Sequence, residues 1–103
     1  MDTGEPYFHL DIDADASPVT IAARGELDAA SSQELSDALD GAAGQGVSLD
    51  LAEVSFIDSS GLRVITAAMR EAKEAGHGFQ VAAASDAVRR IFEMTGLNSL
   101  LEA

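Results

Sequence analysis

Cysteine is absent from this 103-residue chain, which excludes disulfides, thiolate zinc sites and cysteine nucleophiles together. Basic side chains are scarce, with six Lys and Arg against 18 Asp and Glu and a formal net charge of -12. Nucleic-acid phosphates and anionic lipid headgroups both recruit clusters of Lys and Arg, so a DNA, RNA or polybasic membrane reader is excluded. No run approaches the ~20 apolar residues that span a bilayer. Met1–Leu10 carries Asp2 and Glu5 with no basic residue and no sustained apolar stretch, unlike a secretory signal. A soluble cytoplasmic protein with no membrane insertion is the expectation.

What is present suffices for a core. Hydrophobic residues make up 47% of the chain and charged residues an ordinary 23%, so the acidity does not signal disorder. One domain over residues 1–103 fits the length. The charge is uneven: thirteen acids and Arg24 alone occupy residues 1–58, giving -12, whereas five acids and five bases balance in residues 59–103.

Phe8–Ala14 alternates strictly, with Phe8, Leu10, Ile12 and Ala14 opposite His9, Asp11 and Asp13, which predicts a half-buried strand. After a turn at Asp15–Pro18, Val19, Ile21 and Ala23 alternate with Thr20, Ala22 and Arg24 up to Gly25, and the pair reads as a hairpin. Asp28–Ala43 has helical period in Leu35, Ala38, Leu39 and Ala42, with Asp28 or the Ser31 and Glu34 pair as candidate caps. Val47–Leu51 reads as a short strand and Ala52–Asp58 as a connection. Leu62, Ile65, Met69 and Ala72 then line one face of a second helix that stops at Gly76. Phe79–Ala83 predicts another strand. A third helix, capped by Ser85 or Asp86, buries Val88, Ile91 and Phe92 and closes at Gly96; Leu97–Ala103 is too short to assign. The order β-β-α-β-α-β-α implies an α/β fold with a mixed, mainly parallel sheet and helices packed on it.

Few segments carry chemistry. Asp11, Asp13 and Asp15 imitate the opening of a calcium loop, but Ala16 stands where glycine is needed and Ala22 where a bidentate Glu is needed. Gly41–Ser48 imitates a phosphate loop, but Val47 replaces its lysine and a strand follows it. His9 and His77 are the only histidines, one on an outer strand face and one in a turn, and no G-x-S-x-G elbow occurs. An enzyme is not expected, and no cofactor or metal is implied. The remaining cluster is Phe56-Ile57-Asp58-Ser59-Ser60-Gly61-Leu62. Its hydroxyls and carboxylate open a helix, where unpaired amides and the dipole favour oxygen-rich groups. It reads either as a plain N-cap or as a phosphorylatable serine, whose added charge a helix N-terminus accommodates.

At this corner the chain resembles the STAS family, in particular the bacterial anti-sigma factor antagonists. The resemblance rests on Gly25-Glu26-Leu27-Asp28, on Phe56–Leu62 and on Ala87–Leu97, in an order and spacing that cover about the whole chain. It implies a single STAS-like domain that acts by partner switching. The unphosphorylated antagonist binds an anti-sigma factor that is also a serine kinase, freeing a sigma factor; phosphorylation ends the interaction and a phosphoserine phosphatase reverses it. By position, Ser59 matches the phosphorylated residue. Asp58, Ser60, Gly61 and Leu62 shape its corner, and the loop Glu26, Leu27 and Asp28 lies beside it as part of the docking surface.

The resemblance leaves open a second role, a STAS regulatory or scaffold subunit of a sensory or transporter-associated complex without a sigma factor. The chain also departs from related antagonists, which usually continue past Thr95-Gly96-Leu97 into a further strand and helix. Its short C-terminus carries the expectation that a bare sheet edge or helix face supports self-association.

Overall fold

A computed structural model describes residues 7–97. Four strands and three helices follow the expected order: β1 Phe8–Asp13, β2 Val19–Leu27, α1 Ala29–Gly41, β3 Val47–Ile57, α2 Ser59–Ala75, β4 Phe79–Ala84 and α3 Asp86–Thr95. The strands lie side by side in sequence order, β1 antiparallel to β2, and β2, β3 and β4 mutually parallel. Two right-handed crossovers in the same direction place successive helices on one face, and α1 and α2 pack against each other there. The expectation that Met1–Leu10 is not a secretory signal falls in part, and the expectation about the short C-terminus largely, on residues outside the described ones.

The core joins both layers. Ile21 and Leu27 of β2, Leu49, Leu51 and Val54 of β3, Leu35 of α1, Ile65 of α2, and Val88 and Phe92 of α3 are all fully buried. These helical residues fall on the stripes that the 3.6-residue period marks. In the edge strand β1, Leu10 and Phe8 are half-buried, but Ile12 is 51% exposed.

Two segments differ from the sequence-based expectation. Ala52–Ile57 is not a connection but the second half of β3, and β2 runs through Gly25 to Leu27, so the Glu26–Leu27 segment is strand rather than loop. Alternation fails there for a geometric reason. Between Ala22 and Arg24, and again between Gly25 and Glu26, β3 carries one residue more than β2, so two bulges interrupt the ladder. Burial along this stretch falls on Leu51, Val54 and Ile57, every third residue, and a period of two disappears. Gly25 has φ +104, and a β-carbon there would collide with the Tyr7 carbonyl, which accepts a hydrogen bond from the Glu26 N–H at 2.9 Å.

Candidate functional site

The C-terminal ends of β2 and β3 are neighbours, with Glu26 opposite Phe56 and Leu27 opposite Ile57. Each strand turns directly into a helix through an aspartate, Asp28 before α1 and Asp58 before α2. Both hold extended backbone angles and both accept hydrogen bonds from the first free amides of their helices. Two helix N-termini thus open side by side at one edge of the sheet.

At α1, Asp28 Oδ1 accepts from the Ala30 and Ser31 N–H groups, each at 3.1 Å, while the buried Ser31 Oγ accepts from the Asp28 N–H at 2.9 Å. The single proton of the Ser31 hydroxyl has two acceptors within reach, the Glu26 carbonyl at 2.6 Å and Asp28 Oδ1 at 3.0 Å. Of the two candidate caps, Asp28 is therefore the one used, and Ser31 closes the box with it rather than with Glu34. The hydrogen bonds from the Ser31 backbone and side chain, then from Ala30, hold the Asp28 carboxyl below its ordinary range.

At α2, Asp58 Oδ1 accepts from the Ser60 N–H at 2.9 Å and the Gly61 N–H at 3.3 Å, and the Asp58 N–H donates to the Leu27 carbonyl at 3.2 Å. This divides the Asp58-Ser59-Ser60 triplet. Asp58 is the cap; Ser60 is half-buried behind it; Ser59 is exposed, and its hydroxyl has no hydrogen-bond partner among the described residues. Gly61 is buried against Leu27 and Ile57, where any side chain would be too large, and Leu62 is half-buried.

The structure brings Asp58, Ser59, Ser60, Gly61 and Leu62 together on one turn, with Glu26 and Asp28 next to it on β2 and the start of α1. Leu27 departs from its expected place: it is fully buried, and its side chain belongs to the core beneath Gly61 rather than to an outer surface. Sequence reasoning missed Phe56 as a surface group. It follows the second bulge and is 47% exposed, an aromatic ring in solvent three residues before Ser59. The signal was there in its aromatic bulk beside the small or polar exposed residues Ala52, Glu53 and Ser55.

The remaining motifs are used locally. Asp11 pairs with Arg24 and, at 3.1 Å, with His9, and Asp13 Oδ1 accepts from the Asp15 N–H at 3.1 Å, so these carboxylates serve a strand pair and a turn. Arg24 first, then His9, holds the Asp11 carboxyl below its ordinary range. Gly41–Gly46 ends α1 and leads into β3. Among the described residues no helix is long and apolar enough to cross a membrane.

Known proteins are similar to this chain in sequence and in fold. A family model described as Mlab, STAS domain matches residues 10–102. The anti-sigma-B factor antagonist of Listeria monocytogenes is 32% identical over 91 residues, covering 85% of this chain and 80% of the relative. Among solved structures, an anti-sigma factor antagonist from Mycobacterium paratuberculosis aligns with a TM-score of 0.77 at 28% identity, covering 90% of this chain and 81% of that one. The unphosphorylated form of the anti-sigma factor antagonist SpoIIAA aligns with a TM-score of 0.78 at 24% identity over 89% of this chain and 84% of that one, a likeness of fold. By its sheet order, its capped corner and these matches, the chain belongs to the STAS domain family.

Proposed function

We propose that this protein is an anti-sigma factor antagonist that binds an anti-sigma factor with serine kinase activity while Ser59 is unmodified, and so frees a sigma factor. The partner transfers the γ-phosphoryl group of ATP to Ser59 Oγ: an O–P bond forms, the bond to ADP breaks, and the hydroxyl proton is lost. The complex then separates, and hydrolysis by a phosphoserine phosphatase restores the first state.

The observation that carries this reading is the division of labour between Asp58 and Ser59. Asp58 caps α2, and the Ser59 hydroxyl is exposed with no hydrogen-bond partner among the described residues. Phosphorylation would therefore leave the fold standing and act outward. A phosphate brings about -1.5 to -2 charges at neutral pH. Placed at an interface beside Asp58 and Glu26, it adds a bulky anion whose desolvation on docking costs several kcal/mol. The names of the relatives support the same role.

The docking surface consists of Glu26, Asp28, Phe56, Asp58, Ser60 and Leu62 around Ser59, with Leu27 and Gly61 supporting it from beneath. Its acidity matches a basic partner, and the binding should weaken as salt rises. Intact-mass measurement after incubation with the cognate kinase and ATP tests the site. One phosphate on the unaltered protein and none on Ser59→Ala is the expected result; full phosphorylation of Ser59→Ala overturns the assignment.

A further inference from the structure

Arg63 stands four residues beyond Ser59 on α2, the spacing that brings two helical side chains onto one face with Cβ atoms roughly 5–6 Å apart. Both residues line one shallow depression of about 340 Å³, together with Leu62, Thr66, Ala67 and Arg70. Thr66 is already occupied, since its hydroxyl donates to the Leu62 carbonyl at 2.8 Å. Arg63 is exposed and makes no ion pair among the described residues.

Arg70, Lys73, Arg89 and Arg90 likewise make no ion pair among the described residues, so what matters for Arg63 is its place on the helix. The helix neighbours of Arg63 at three and four residues either way are Ser59, Ser60, Thr66 and Ala67, none of them acidic. Arg70, by contrast, has Glu74 four residues on. Asp40, Glu71 and His77 share the groove between α1 and α2 with Arg63 but form no ion pair with it, and the Asp58 carboxylate is engaged by the amides of Ser60 and Gly61.

We propose that Arg63 is the receiver of the Ser59 phosphate, a guanidinium held one turn away that closes on the phosphoserine of its own helix. This rests on the phosphorylation reading above and adds the residue that reads the mark. An anionic group preceding a cation by four residues is the favoured orientation, and the phosphate, in the first turn, also complements the positive end of the helix dipole. The planar guanidinium can offer two parallel N–H donors to phosphate oxygens. Phosphorylation then changes the surface twice, adding a dianion and withdrawing a cation into an intrahelical pair. Arg70 lies eleven residues from Ser59, about 16 Å along the helix at 1.5 Å per residue, too far to reach it and thus a matched control.

The test uses the full chain with phosphoserine inserted at position 59 during synthesis, so it does not depend on any kinase acting on the protein. The second ionisation of the phosphate is followed by phosphorus NMR in the unaltered chain, in Arg63→Gln and in Arg70→Gln. An isolated phosphoserine titrates near about 6. The expected result is a midpoint at least ~0.3 units higher in Arg63→Gln than in the other two, because loss of the cation weakens the dianion. A smaller rise, or an equal one in Arg70→Gln, overturns the proposal. Failure of a kinase to modify Ser59 would count against the functional reading and leave this measurement intact.

Discussion

A β-carbon on Gly61 would lie 2.7 Å from Leu27 Cγ and 3.1 Å from Ile57 Cγ1. The first turn of α2 therefore rests directly on the ends of β2 and β3, and this contact sets the height at which Ser59 emerges. Leu27 is fully buried and has no free space to yield. Gly61→Ala should destabilise the protein by about 1–3 kcal/mol through overpacking, read as a lower urea midpoint. Unchanged stability would mean that α2 is not seated on Leu27.

The helices, the hairpin and the parallel order were legible because their apolar residues keep a clean period: Val19, Ile21 and Ala23 in β2, or Leu62, Ile65 and Met69 in α2. Spacing alone left Ser59 indistinguishable from a cap; the hydrogen bonds to Asp58 show that the cap is Asp58 and not Ser59. The end of β3 was not legible. Two bulges displace its buried residues to every third position, and a pattern of that kind matches neither a strand nor a helix. The same bulges hid the outward turn of Phe56 and the inward turn of Leu27.

The Asp28 cap makes part of the stability depend on acidity. Its carboxyl is held below the ordinary 3.8 by the Ser31 and Ala30 hydrogen bonds, so near that pH the unfolded chain binds a proton that the folded chain refuses. The contribution is complete above the unfolded value and is lost as pH falls through the lower, folded one. Asp11, held low by Arg24 and then His9, adds a parallel loss. On acidification through 3.8, the urea midpoint of the unaltered protein should therefore fall more steeply than that of Asp28→Asn. Parallel curves would remove Asp28 from the account.

Phe56 presents an aromatic surface next to the corner and supports none of the core, being 47% exposed. Exposed aromatic rings that become buried on docking carry a large share of binding energy. Phe56→Ala should leave the unfolding midpoint nearly unchanged and weaken anti-sigma factor binding by about tenfold or more, a loss above 1 kcal/mol. Calorimetric titration of the two proteins with the same partner checks both halves. Equal affinities would place the docking surface elsewhere.

In the proposed function, one phosphate on Ser59 decides whether the protein holds its partner. The most direct measurement is a binding titration of the cognate anti-sigma factor against two preparations of the full chain, one unmodified and one carrying phosphoserine at position 59. A stable complex is expected with the first and a dissociation constant at least about a hundredfold larger with the second, the equivalent of roughly 2.7 kcal/mol. Equal binding of both preparations would contradict it.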